Sequence, residues 1–122
     1  MTTLTIPWDA LASDNKRHAR KWGRAHSWDY VKAREAMSLI AMDAVRGERP
    51  RYTGPVTVHL DFYPPNGRRR DASNLLKAIL DSMSGIVYAD DFQVRSLSYL
   101  VHPQDGSHPR VDVRVVAMSQ EA

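Results

Sequence analysis

The sequence contains no cysteine. Disulfides and thiolate metal sites are therefore excluded, and a cytoplasmic home is permitted. No apolar run approaches the ~18 residues that a membrane-spanning helix needs. The N-terminal stretch MTTLTIPWDA lacks the basic region and apolar segment of a signal peptide. There is no internal repeat, no low-complexity tract and no linker. These absences point to one soluble domain over residues 1–122.

A chain of this length buries roughly two-thirds of its unfolded surface, enough for a core without staples. Its hydrophobic content of 43% and charged content of 25% are ordinary for a globular protein. The net charge of +3 is modest, but its placement is uneven. Lys16, Arg17, Arg20, Lys21 and Arg24 fall within nine positions, and Arg68, Arg69 and Arg70 are consecutive. A basic footprint of this kind suits a phosphate backbone; two solvated loops are the alternative. Residues 7–27 are polar and basic with few aliphatics, so they read as a long loop or arm, and long loops in compact domains tend to be functional. Trp22 within this arm can stack on an unpaired base or pack the arm onto the domain.

Periodicity supplies the elements. Residues 2–6 are strand-like. Ser27 is a candidate N-cap for a helix over 28–45, with Val31, Met37, Ile40, Ala41, Ala44 and Val45 on one stripe and Gly47 at its end. Val56, Val58, Leu60 and Phe62 alternate with Thr57, His59, Asp61 and Tyr63, the pattern of a strand with one buried face. Leu75, Leu76, Ile79, Leu80 and Met83 then recur at helical spacing, from a start near Asp71, with Gly85 just past the end. Residues 94–101 and 111–118 read as two more strands, and Asp105–Gly106 between them predicts a hairpin. The order is β-α-β-α-β-β. The expected fold is α+β, a small mixed or mostly antiparallel sheet of three to four strands with two helices packed on it.

The stretch RRRDASNLLKAILDSMSGIVYADDFQV carries the chemistry. Asp71 opens the second helix, while Asp90 and Asp91 precede the next strand. The helix is ~15 Å long, so the loop 85–91 must fold back if the carboxylates are to meet. Carboxylates brought together are unfavourable unless a cation binds or one takes a proton. Oxygen ligands favour Mg²⁺ or Mn²⁺ over zinc, and a bound magnesium can supply an acidified water and bridge to phosphate. Lys77 shares a helix face with Ser73 and can reach phosphate or developing negative charge. Plainer roles compete at each position: a cap for Asp71, a turn for Asp90 and Asp91, pairing of Arg69 or Arg70 with Asp71, and an i,i+4 pair between Lys77 and Asp81. His59 is expected to face solvent. His18 and His26 are expected to be phosphate contacts or bystanders, and His102 and His108 suggest nothing specific.

The same stretch resembles the signature of the RusA family of Holliday-junction resolvases: a basic segment, D-x-D-N, a helix with a lysine, and D-D-x-Q-V leading into a strand. The opening LTIPW and the overall length are also similar. The resemblance implies a homodimeric crossover-junction endodeoxyribonuclease that binds branched DNA and nicks a four-way junction symmetrically in recombination or repair. RusA-like proteins are often encoded by phages or prophages, so the resemblance is compatible with such an origin, and it implies action in the cytoplasm of a bacterial host. By position, Asp71 and Asp91 would be magnesium ligands, Asp90 a supporting carboxylate and Lys77 the catalytic cation. Lys16, Arg17, Arg20, Lys21, Trp22, Arg24, Arg68, Arg69 and Arg70 would contact DNA.

Two departures qualify the expectation. D-x-D-N reads D-A-S-N, so Ser73 replaces an anionic ligand with a neutral hydroxyl that is also a good helix N-cap. Asp61, on the outward parity of its strand, is a conceivable substitute. The usual Pro-Pro after the first strand is replaced by WDALASDN, which bears on the conformation of the arm. Three functions follow: an active metal-dependent nuclease, a branched-DNA-binding protein impaired in catalysis by Ser73, and an interaction domain whose charges only solvate it.

Overall fold

The computed structural model describes residues 1–11, 28–47, 49–67 and 72–118. Strand β1 (Thr2–Pro7) leads into a 3-10 turn (Trp8–Ala10). Helix α1 (Trp28–Val45), strand β2 (Val56–Tyr63) and helix α2 (Ser73–Met83) follow. A second 3-10 turn (Asp91–Gln93) precedes β3 (Val94–Val101), and β4 (Arg110–Ala117) comes last.

The alternation in β2 produces a one-sided sheet. Val56, Val58, Leu60 and Phe62 are fully or almost fully buried, and their neighbours of opposite parity are not. Leu4 and Ile6 of β1 and Val111, Val113 and Val115 of β4 continue the same buried face. Helix α1 buries Ala33, Met37, Ala41 and Val45, one residue per turn, and α2 adds Ala78, Ile79 and Met83. Each large aliphatic side chain enclosed in this way contributes roughly 1.5–3 kcal/mol.

The strand order is β1-β4-β2-β3, with β2 and β3 parallel and the other pairs antiparallel. This corrects the expected hairpin. β3 and β4 are not neighbours, because β2 lies between them. Helix α2 carries the chain back along β2, so β3 enters parallel and both strands finish at the same end. The connection then crosses the end of β2, where His102 N–H donates to Phe62 O at 2.8 Å and Asp105 N–H to Pro64 O at 2.7 Å. β4 therefore starts opposite Tyr63 on the other edge of β2. Asp105 does form a turn, accepting from Ser107 and His108 N–H at 3.2 Å, but the turn joins strands two places apart.

Two local expectations also change. Ser73 is the first residue of α2 and not its cap: Ala72 holds that position, and its carbonyl accepts from Leu75 and Leu76 N–H. Residues 7–11 of the expected arm are packed, with Leu11 buried and Trp8 N–H donating to Pro109 O at 3.1 Å. Ser27, the proposed cap of α1, lies outside the described residues.

Candidate active site

Helix α2 presents Ser73, Lys77 and Asp81 at successive turns of one side. The Lys77 ammonium lies 3.5 Å from the Asp81 carboxylate, so the i,i+4 pair is formed. Past the helix, Gly85 at φ +85° reverses the chain, a conformation that costs glycine little. Tyr88 is buried and its hydroxyl donates to Leu80 O at 2.8 Å, fastening the returning segment against the last turns of α2. Tyr52 N–H donates to Val87 O at 2.9 Å and secures the other side.

The next residues are locked by one buried side chain. Gln93 Oε1 accepts from Ala89 N–H at 2.8 Å and Asp90 N–H at 3.0 Å. Its Nε2 donates to Gly54 O at 2.8 Å and Tyr52 O at 3.2 Å. Asp90 Oδ1 accepts from Phe92 N–H at 3.2 Å, completing a capping box around the 3-10 turn. The motif D-D-F-Q-V thus has a local cause: Asp90 and Gln93 build the turn that carries Asp91 and Phe92.

The returning loop brings Asp91 into the field of α2. Its carboxyl is held above the usual carboxylate range, first by a hydrogen bond with the Asp90 side chain. Desolvation and the negative charges of Asp90 and Asp81 add to this, and the Lys77 ammonium only partly offsets them. Burial pushes the Tyr88 phenol well up, and the charges of Asp91 and Asp81 push it further. The last turn of α2 contains no basic residue, so the negative end of its dipole adds to the same sign of potential. Such a place disfavours its own anions and attracts cations.

Of the predicted site residues, Asp90, Asp91 and Lys77 thus share one neighbourhood, together with Asp81. From spacing alone, Asp81 is expected only as the i,i+4 partner of Lys77. Its i,i+4 spacing from Lys77 is legible in the sequence, but its approach to Asp91 needs the fold of the loop. Ser73 stands at the far end of α2, eight residues and about 12 Å along the axis from Asp81. Asp71, Arg68, Arg69 and Arg70 lie outside the described residues, as do Lys16, Arg17, Arg20, Lys21, Trp22 and Arg24. Among the described residues no three carboxylate or imidazole side chains are grouped to hold a metal ion.

Asp61 does not join this cluster. Its parity puts it on the sheet face opposite the helices, where its Oδ1 accepts from His102 Nε2 at 2.7 Å and His59 Nε2 at 3.2 Å. It therefore cannot stand in for the carboxylate missing at Ser73. His59 also bonds Ser98 Oγ at 2.7 Å, and His102 stacks on Tyr63 at 4.4 Å between ring centres. The Arg110 guanidinium covers the same tyrosine at 4.1 Å. His102 thus has a structural role that the sequence did not suggest, because its partners Asp61 and Tyr63 both lie on β2, far from it in the chain.

Among curated proteins none matches the chain significantly. A family model described as Endodeoxyribonuclease RusA matches residues 7–116, from the end of β1 almost to the end of β4. With that match spanning nearly every described element and the acidic turn, the chain belongs to the RusA endodeoxyribonuclease family.

Proposed function

We propose that the chain is a Mg²⁺-dependent, structure-selective endodeoxyribonuclease that binds four-way or other branched DNA as a homodimer and nicks it symmetrically. The observation that carries this reading is the match to a nuclease family over residues 7–116, supported by the approach of Asp91 to Asp90 in the field of Asp81 and Lys77. The donor set fits a hard divalent cation, since every group is a carboxylate oxygen. Asp71 and Asp91 would hold Mg²⁺ or Mn²⁺, with Asp90 supporting them. When bound, the cation supplies an acidified water and charge neutralisation at the phosphate.

The chain's own groups then have distinct tasks. Asp90 fixes the turn and raises the proton affinity of Asp91, so cation and proton compete for one place. Lys77 is exposed enough to meet a phosphate and to stabilise negative charge developing there. The consecutive arginines and the basic arm would carry the remaining phosphate contacts, which makes binding steeply salt-dependent. A two-fold enzyme suits a two-fold substrate. The outer edge of β3 supports a dimer, since Leu97, Tyr99, Leu100 and Val101 are all exposed along it.

Ser73 favours a second reading, a branched-DNA-binding protein with impaired catalysis. A gel assay on a synthetic four-way junction with a metal titration separates the two. The active reading expects nicks in Mg²⁺, none in EDTA, and loss of cleavage with retained binding in Asp91→Asn. Normal cutting by Asp91→Asn would refute the site. Activity confined to Ser73→Asp, with the wild type binding but inert, would establish the second reading.

A further inference from the structure

Phe92 is the most exposed aromatic residue among those whose side chains are described, at 69%. It belongs to no part of the core cluster. It directly follows Asp91 in the 3-10 turn that Asp90 caps. A lone apolar residue at a surface is ordinary, but the mounting of this one is not. Its own N–H is held by the Asp90 carboxylate, and the Ala89 and Asp90 amides that lead into the turn are held by the buried Gln93. Immediately after Gln93, Val94 is fixed in β3 opposite Val56. The backbone is therefore held at Ala89, Asp90 and Phe92 and again at Val94, which fixes the turn with the ring outside the core. The result is a flat apolar surface projecting rigidly from a polar, acidic site.

We infer that Phe92 is a base-stacking residue: its ring meets the face of an unpaired or unstacked nucleobase at the branch point, while Asp91 beside it faces the backbone. The inference rests on the nuclease reading and deepens it by assigning a source of preference for branched over continuous DNA. Within duplex DNA the base faces are covered by their neighbours. At a branch point they can be uncovered, so an aromatic ring gains contact there that an intact helix does not offer. Every base has such a face, so the preference is for structure and not for sequence.

The test measures affinity for a synthetic four-way junction and for a duplex of the same sequence, in EDTA so that nothing is cut. Phe92→Ala should bind the junction about 5- to 150-fold more weakly, with duplex affinity unchanged. Phe92→Trp should retain the preference, and Phe92→Leu, equally apolar but not aromatic, should lose it. Thermal unfolding and sedimentation should be the same for all variants, since the ring is in solvent. An unchanged junction-to-duplex ratio in Phe92→Ala overturns the inference and leaves the nuclease reading intact. So does full retention in Phe92→Leu, or a change of oligomeric state in Phe92→Ala, which would make the ring a contact between copies of the chain. A wild-type protein with no preference for the junction overturns both.

Discussion

At the scale of single residues, the open face of the sheet stores one charge arrangement whose stability can be read by titration. Asp61 stands directly opposite Asp112 across β2 and β4, a like-charge pair that is unfavourable by itself. Each carboxylate has its own partners: His102 and His59 for Asp61, and Arg110 and Thr5 for Asp112. Burial pushes the Asp61 carboxyl up, but the hydrogen bonds and charges of His102 and His59 outweigh it and hold the group below its usual range. A folded-state value below the unfolded one, ~3.9, means that the folded state binds fewer protons in between. The stabilisation is therefore present above that unfolded value and disappears as pH falls through the depressed one. Asp61→Asn should lower stability by about 1–2 kcal/mol near pH 7, and the difference from wild type should close in strongly acidic buffer. Urea unfolding at several pH values checks this. A difference that persisted unchanged to low pH would show that the carboxylate's charge is not the source. Nuclease activity should be untouched, because Asp61 faces away from α2.

At the scale of elements, the turn Asp91–Gln93 depends on a side chain that touches no substrate. Gln93 is 5% exposed and makes four hydrogen bonds to backbone groups of two segments. Truncating it to alanine strands buried donors and acceptors, which should cost about 2–4 kcal/mol. Gln93→Glu should be as harmful near neutrality, because a carboxylate would face the Tyr52 and Gly54 carbonyls. Its damage should lessen as pH falls and the added carboxyl takes a proton. Denaturant midpoints for the two variants, compared across pH, test this; a neutral effect of both would remove Gln93 as the anchor. Element identities were legible because β2 alternates and α2 repeats at helical spacing, patterns written in adjacent residues. The partner of β4 was not legible, since Asp105–Gly106 announces a turn but not which strand follows beside it. Asp90, Asp91 and Lys77 could be singled out from spacing. The roles of Gln93 and Tyr88 could not, because their partners at Tyr52, Gly54 and Leu80 are set by the return of the loop.

At the scale of the whole molecule, the sheet leaves one edge that needs explanation. β3 pairs with β2 on one side, and among the described residues no strand pairs with its other side. Unpaired edges are commonly guarded by charge, proline or a bulge. The strand VRSLSYLV has one arginine, at its beginning, and four exposed apolar side chains towards its end. Parity divides these: Leu97, Tyr99 and Val101 share the face of the core strands, and Leu100 shares that of Asp61. Together they wrap the edge in apolar surface, which the proposed homodimer would cover by bringing two such edges together about a two-fold axis. Leu100→Lys adds a charge that would meet its own symmetry mate or enter an apolar contact, either of which opposes pairing. Side chains that are exposed in the monomer make the substitution tolerable to the fold. Sedimentation velocity should show the wild type as a dimer and Leu100→Lys shifted towards monomer at the same concentration, with unfolding little changed. Junction nicking by the monomer should lose its symmetry, so that one strand is cut without the opposing one. Dimers of undiminished strength in Leu100→Lys and in Tyr99→Lys would move the two-fold contact to another surface.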